Sequence, residues 1–121
     1  MSDHRNDLIL VEHRDGCHVV RFLSDALFDP LVISQIEQQI QEVIAEATPP
    51  RLVLALDTIQ HAASSTLSAF ISTRSACQGK GGDAVLASVP PSIMGILEVA
   101  RLDGVFRIYE TTAEAINSFS A

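Results

Sequence analysis

The sequence predicts an α/β domain in which one mixed sheet of about five strands carries about four helices. Three observations predict this fold. Short apolar segments alternate with amphipathic helical segments, in the order strand, strand, helix, strand, helix, strand, helix, strand, helix. The pair Asp15-Gly16 separates the first two strands and is typical of an antiparallel hairpin. Each later strand follows a helix, and such units build parallel sheets with right-handed crossovers.

The N-terminal hairpin consists of the predicted strands Leu8–Glu12 and Cys17–Phe22, which are joined by His13-Arg14-Asp15-Gly16. Residues 1–7 precede it and are expected to form a flexible N-terminus. After the hairpin, we expect Leu23–Pro30 to be a loop whose final proline suits the first turn of a helix.

The first helix is predicted over Leu31–Ala47 and ends at Thr48-Pro49-Pro50. Its apolar positions share one helical face: Ile33, Ile36, Ile40, Val43, Ile44 and Ala47. Leu52–Leu56 follows as an uninterrupted apolar strand, typical of the centre of a parallel sheet that is covered on both faces.

The second half of the chain repeats this alternation. A helix begins near Ser64, is predicted to bury Leu67, Phe70, Ile71 and Cys77, and ends at the turn Gly79-Lys80-Gly81-Gly82-Asp83. That turn lacks the upstream glycine and the following Ser or Thr of a phosphate-binding loop. The remaining predicted elements are strand Ala84–Ser88, helix Ser92–Arg101, strand Val105–Tyr109 and helix Ala113–Phe119. The helix Ser92–Arg101 is predicted to bury Ile93, Ile96, Leu97 and Ala100.

Composition narrows the classes of function. A chain of 121 residues with 47% hydrophobic content fits a single domain spanning residues 1–121. Its net charge of −7 repels phosphate backbones, so we expect no nucleic-acid partner. No apolar run is long enough to span a bilayer and the start is polar, so we expect a cytoplasmic protein without direct membrane insertion. Cys17 and Cys77 are interpreted as reduced packing residues.

Residues that could carry catalysis are scattered. The four histidines show no metal-ligand spacing, so neither a metal site nor a cofactor is expected. Cys17 and His18 are adjacent on a strand and therefore point to opposite faces. Asp57 follows a central strand, where it is either a functional carboxylate or a loop residue that accepts backbone hydrogen bonds. An enzyme that uses Asp57 and Ser64 lacks a base to complete the pair, so we expect a non-enzymatic protein.

The residues Ser64, Ser65 and Thr66 lie where a helix begins. Backbone N–H groups are unpaired there and the helix dipole is positive, so a phosphate attached to one of these hydroxyls would be stabilised. Serine and threonine are also common helix N-caps, which is the alternative interpretation.

A run in the second half of the chain resembles the STAS domain of bacterial anti-sigma-factor antagonists. The run comprises Gly81-Gly82, Val89-Pro90-Pro91, Ile96-Leu97-Glu98, Leu102-Asp103, Phe106 and Ile108-Tyr109. The Phe28-Asp29 loop is also similar, and the resemblance extends over residues 17–119. The family's motif Asp-Ser-Ser-Gly-Leu-Gly falls on Ala63-Ser64-Ser65-Thr66-Leu67-Ser68, so Ala63 stands in the acidic position and Thr66 and Ser68 stand in the glycine positions.

The resemblance implies a partner, an anti-sigma factor with serine kinase activity, that binds the chain and phosphorylates Ser64. Ser65 and Thr66 are alternative acceptors. The implied partner-binding residues are Asp57, His61, Ala63, Ser64, Ser65, Thr66 and Ser68. The resemblance is also compatible with a homodimer. The departures at Ala63, Thr66 and Ser68 favour a second hypothesis, a STAS scaffold that is not phosphorylated, either in a signalling assembly or as a subunit of an ABC-type lipid transport complex.

Overall fold

A six-stranded mixed sheet organises the chain, as a computed structural model that describes residues 4–5, 8–27 and 29–120 shows. The strands are β1 (His4–Arg5), β2 (Ile9–Arg14), β3 (Cys17–Phe22), β5 (Arg51–Ala55), β7 (Asp83–Ala87) and β8 (Ile108–Tyr109). They lie side by side in that order, and β1, β2 and β3 are antiparallel whereas β3, β5, β7 and β8 are parallel. The predicted fold class is confirmed.

The hairpin of β2 and β3 is tighter than predicted. The structure extends β2 to Arg14, so the connection shrinks from four residues to Asp15 and Gly16. Their φ angles are +53° and +81°, the left-handed pair that a two-residue hairpin turn requires. Of residues 1–7, the structure describes only the backbone pairing of His4 and Arg5 with β2, and the expectation of a flexible N-terminus otherwise lies outside the described residues.

Four helices cover the sheet: α1 (Pro30–Glu46), α2 (Ser64–Gln78), α3 (Pro91–Val99) and α4 (Thr112–Ser120). Side chains of α1, α2 and α3 pack on one face of the sheet, and α4 packs on the other through Ala115 and Ile116. Four residues of β5 are fully buried, namely Leu52, Val53, Leu54 and Ala55. The predicted two-sided burial of this strand is therefore confirmed, since its alternate residues contribute to both halves of the core.

Helix ends differ from the predicted ones by one or two residues. The side chain of Asp29 caps α1 by accepting a hydrogen bond from the Leu31 amide at 2.9 Å. The helix α3 ends at Val99, so Ala100, which we expected to be buried, is exposed. Ile71 and Ile96, also expected in the core, are half-buried.

The last strand is shorter than the predicted Val105–Tyr109. The amides of Val105 and Phe106 both donate to the carbonyl oxygen of Leu102, at 3.0 and 3.4 Å. These turn contacts keep both residues out of the sheet, so regular strand β8 begins only at Ile108.

Two short segments pair with each other, and one of them lies within the expected loop Leu23–Pro30. β4 (Ala26–Leu27) and β6 (His61–Ala62) form a separate parallel two-stranded sheet. Phe28 follows β4 directly but lies outside the described residues. The pairing attaches the chain just before α2 to the chain just before α1, and thereby positions the start of α2.

The turn after α2 has two structural roles. It ends the helix as predicted, with the amide of Gly79 bonded to the carbonyl oxygen of Ser75 at 3.0 Å. Its Lys80 ammonium group also donates to the carbonyl oxygens of Ile44 and Ala45, at 2.7 and 3.1 Å, and so caps the C-terminal end of α1.

Candidate functional site

Ser64 is the first residue of α2 and its side chain is exposed. Ser65, the next residue, is exposed as well. Within the described part of the chain, neither the hydroxyl nor the amide of either serine has a hydrogen-bond partner. Unpaired amides and the positive end of the helix dipole therefore meet at a hydroxyl that is accessible to another molecule.

The interpretation of Ser64 as the N-cap is wrong, because the N-cap of α2 is Ala63. Ala63 has a methyl side chain and accepts no hydrogen bond with it. A side-chain hydrogen bond at this helix start runs in the opposite direction, since the Ala63 amide donates to the Thr66 hydroxyl oxygen at 3.2 Å. This contact is one half of a capping box.

Thr66 does not belong to the accessible surface that the sequence suggested. Its side chain is 1% exposed, and its hydroxyl donates to the carbonyl oxygen of Leu27 at 2.7 Å. A buried hydroxyl with partners on both sides is unavailable to a kinase or to a partner surface in this conformation. The assignment of Thr66 as an alternative acceptor and contact residue therefore does not fit its position.

An apolar groove opens beside Ser64 between the start of α2 and α3. We call it the α2–α3 groove; it has a volume of about 530 Å³. It is lined by Ser64, Leu67, Ser92, Gly95, Ile96, Val99 and Ala100. Val99 is 87% exposed, whereas Ile93 and Leu97 of the same helix are buried. The groove offers an apolar contact surface directly next to the hydroxyl of Ser64.

The sequence interpretation missed this groove, although the sequence contained a signal for it. Besides the buried Ile93 and Leu97, α3 carries the exposed Val99, an apolar residue away from the core face. A helix with that pattern covers a second apolar surface or is contacted by another molecule.

The other predicted contact residues near the start of α2 differ in exposure and in their contacts. Ser68 is exposed and lies one helical turn after Ser64, on the same side of α2. His61 is exposed in β6, and Ala63 is half-buried. The side chain of Asp57 is 52% exposed and pairs with Arg21 on β3, at 3.7 Å between Oδ1 and Nη1. Arg21 also bonds Glu12, at 3.1 Å.

The described residues bring together no catalytic pair at this site. The carboxylate of Asp57 faces Arg21, and no base contacts the Ser64 hydroxyl in the described part of the chain. No three His, Cys, Asp or Glu side chains of the described residues converge in a way that could hold a metal ion. Among the helices of the same residues, none combines the length and the apolar composition needed to cross a membrane.

The fold and the sequence both match one family. The family model of the STAS domain matches residues 9–115, which is most of the chain, so the chain belongs to the STAS domain family. A STAS-domain anti-sigma-factor antagonist protein from Planctomyces limnophilus superimposes with a TM-score of 0.82 at 21% identity, covering 93% of this chain and 98% of that one.

Two further solved structures have the same fold. An anti-sigma-factor antagonist from Mycobacterium paratuberculosis matches with a TM-score of 0.80 at 26% identity, over 93% of each chain. The Bacillus cell-fate determinant SpoIIAA in its phosphorylated form matches with a TM-score of 0.69 at 19% identity, over 92% of this chain and 98% of that one. This chain is therefore a STAS domain with structural similarity to anti-sigma-factor antagonists.

Proposed function

We propose that this chain is a non-enzymatic, cytoplasmic anti-sigma-factor antagonist whose single domain spans residues 1–121. It binds an anti-sigma factor with serine kinase activity through the start of α2, and phosphorylation of Ser64 ends the complex. The observation that carries the proposal is the exposed, unpartnered hydroxyl of Ser64 at the first position of α2, on the rim of the α2–α3 groove. The similarity to a protein solved in phosphorylated form supports it.

The groove supplies the apolar part of the proposed interface. Ile96 and Val99 present aliphatic surface above the buried Leu67, and burying apolar surface contributes about 25 cal/mol for each Å² removed from water. An aliphatic or aromatic side chain of the partner fits this surface, with the exposed hydroxyls of Ser64 and Ser68 at its border.

In this proposal, phosphorylation of Ser64 lowers the affinity for the partner and leaves the fold of this chain intact. A phosphoseryl group adds about −1.5 to −2 charges at neutral pH. At position 64 the group lies at the positive end of α2 beside unpaired amides, so the fold accommodates it. A partner packed against the groove must instead bury or exclude a solvated dianion, which costs several kcal/mol, or about a hundredfold or more in affinity.

In this proposal the Ser64 hydroxyl is a substrate. The kinase provides the base, the nucleotide and the magnesium ion, and this chain provides a positioned hydroxyl. A catalytic base within the chain is therefore not needed.

The test is phosphate transfer from purified kinase-type anti-sigma factors of the source organism. The chain is incubated with each of them and ATP, and the modified residue is mapped by mass spectrometry. We expect one phosphate-sized mass increase at Ser64, which Ser64→Ala abolishes and the exposed-serine controls Ser65→Ala and Ser68→Ala retain. Modification of another residue, or no modification by any of these kinases, contradicts the proposal.

A non-phosphorylated STAS scaffold is the second candidate, either in a signalling assembly or as a subunit of an ABC-type lipid transport complex. It is favoured by Ala63, which places no carboxylate beside the serine. This candidate predicts a stable complex that forms equally well with Ser64→Ala and Ser64→Asp. In both candidates a homodimer is compatible with the fold, and sedimentation of the isolated chain measures it.

A further inference from the structure

Thr66 connects the start of α2 to another part of the chain. Its hydroxyl donates to the carbonyl oxygen of Leu27, the last residue of β4, at 2.7 Å. The same oxygen accepts a hydrogen bond from the Ala63 amide at 3.2 Å. The Ala63 amide also lies 3.2 Å from the Thr66 hydroxyl oxygen. The three groups form one hydrogen-bonded cluster, which we call the Thr66 clamp.

The clamp fixes the backbone on both sides of Ser64. Ala63 precedes the serine and Thr66 follows it by two residues, and both are tied to Leu27, 39 residues before Thr66. Between these fixed points, the hydroxyls and amides of Ser64 and Ser65 have no hydrogen-bond partner within the described chain. The helix start cannot be held by its N-cap side chain, because Ala63 has no polar group. Thr66 is therefore the residue whose side chain holds it.

A second buried threonine in α2 shows that this arrangement is specific to position 66. Thr73 is 2% exposed, but its hydroxyl donates to the carbonyl oxygen of Ala69 at 2.9 Å, one turn earlier in the same helix. That bond joins α2 only to itself. Thr66 instead joins α2 to β4, and so acts on the placement of the helix start.

We propose that Thr66 is a positioning residue for the reaction at Ser64: its hydroxyl holds the start of α2 on β4 and thereby fixes the Ser64 hydroxyl for phosphoryl transfer. The inference rests on the proposed function for its kinetic part. A substrate hydroxyl that is held in place does not have to be ordered during the encounter with the kinase, so the clamp raises the rate of transfer.

The experiment compares four variants of the full chain with the unmodified protein. Thr66→Val keeps the shape and removes the hydroxyl, and Thr66→Ser keeps the hydroxyl. Thr73→Val removes a buried hydroxyl from the same helix without touching the clamp. In the double variant Ala63→Asp with Thr66→Val, a carboxylate at the N-cap can accept from the free amides of the first turn.

Two quantities are measured for each variant. One is hydrogen exchange of the hydrogen-bonded amides of Ala63, Thr66 and Leu67, with the amides of residues 70–77 as reference. The other is kcat/KM for phosphate transfer to Ser64 from the kinase. For Thr66→Val we expect exchange of the amides of Ala63, Thr66 and Leu67 to rise about tenfold or more, with the reference amides unchanged, and kcat/KM to fall about tenfold. Thr66→Ser and Thr73→Val should stay within about threefold of the unmodified protein in both quantities, and the double variant should recover part of the loss.

The outcomes separate this inference from the proposed function. If the unmodified chain takes no phosphate at Ser64, the proposed function fails; faster exchange in Thr66→Val alone would then support the clamp without its kinetic role. If the chain is phosphorylated but Thr66→Val exchanges and reacts like the unmodified protein, the clamp is overturned and the proposed function stands. The clamp would also be overturned if Thr66→Ser or Thr73→Val raised amide exchange and lowered kcat/KM as much as Thr66→Val does.

Discussion

Gly82 shows how a single residue controls the approach of two segments. The amide of Asp83, the next residue, donates to the carbonyl oxygen of Pro50 at 3.0 Å where β7 begins beside β5. This bond brings the backbone at Gly82 so close to Pro50 that a Cβ atom there would fall on the same carbonyl oxygen. Only a residue without a side chain fits without moving the backbone.

Gly82→Ala should therefore destabilise the fold by about 2 kcal/mol or more, since an overpacked site forces backbone shifts. Gly104→Ala is the matched control, because a Cβ atom at Gly104 meets no atom within 4 Å. The free energy of unfolding in denaturant measures both changes. Equal stability of the two variants would show that the approach of Gly82 to Pro50 is not as close as described.

At the same scale, the sequence predicted the type of site better than its details. The hydroxyl cluster predicted that a helix begins near Ser64, and α2 begins at that residue. The sequence could not show that the N-cap is Ala63 and that the side chain holding the helix start is Thr66. The reason is that the hydroxyl of Thr66 bonds an oxygen 39 residues away. Two positions that looked like independent departures from the family motif are thus joined by one hydrogen bond.

Among the elements, α1 is held at both ends by side chains. Asp29 caps its start, and Lys80, which belongs to the turn after α2, caps its end. The last carbonyl groups of a helix lack partners within the helix and carry the negative end of its dipole. A lysine ammonium group at that end is therefore stabilising, and it also fixes the turn after α2 against α1.

Lys80→Met should lower the free energy of unfolding by about 1 kcal/mol, since it removes the charge and both hydrogen bonds but keeps a long side chain. Lys80→Arg keeps the charge and the donors and should lower it by less than about half as much. Thermal or denaturant unfolding provides the measurement. A loss of the same size in both variants would mean that packing of the side chain, and not capping, is what Lys80 contributes.

Elements with a strong periodic pattern were predicted well, and short ones were not. The isoleucines of α1 and the apolar run of β5 identified both elements to within one residue. The two-residue strands β4 and β6 have no room for a periodic pattern, and they form only because distant segments meet. β8 was predicted too long because Val105 and Phe106 are apolar but serve in a turn and in the core.

Across the whole molecule, the sheet divides the core into two halves with one free cysteine in each. Cys77 packs with α1, α2 and α3, whereas Cys17 packs on the side of α4. Burial raises the pKa of the Cys77 thiol from 9.0 to about 12; the Asp83 carboxylate adds to this shift and Lys80 opposes it. Burial likewise raises the pKa of Cys17. Both thiols are thus kept neutral by the fold.

The elevated pKa of Cys77 predicts a loss of stability at alkaline pH. Above pH 9.0 the thiol ionises in the unfolded chain but stays protonated in the folded protein up to about pH 12, so the unfolded state binds fewer protons and stability falls as pH rises. Cys77→Ala, which cannot ionise, should be less stable near neutral pH, and its difference from the unmodified protein should shrink above pH 9.0. Denaturation curves at several pH values test this, and a constant difference would contradict it.

The proposed contact surface is also a property of the whole molecule. Ser64 follows β6 and Val99 ends α3, and they line one groove only because both helices pack on the same face of the sheet. A sequence pattern identifies a helix start or an apolar helix, but it does not show which helices become neighbours in the fold. This is why the helix start at Ser64 was predictable and the groove beside it was not.

The most direct measurement of the central claim is the affinity of the kinase-type anti-sigma factor for this chain with and without phosphate on Ser64. Phosphoserine is installed at position 64, and binding and thermal unfolding are both measured. We predict an affinity about a hundredfold or more lower for the phosphorylated chain, with a melting temperature within about 5 °C of the unmodified one. Equal affinity of the two forms, or a phosphorylated chain that no longer folds, would contradict the account.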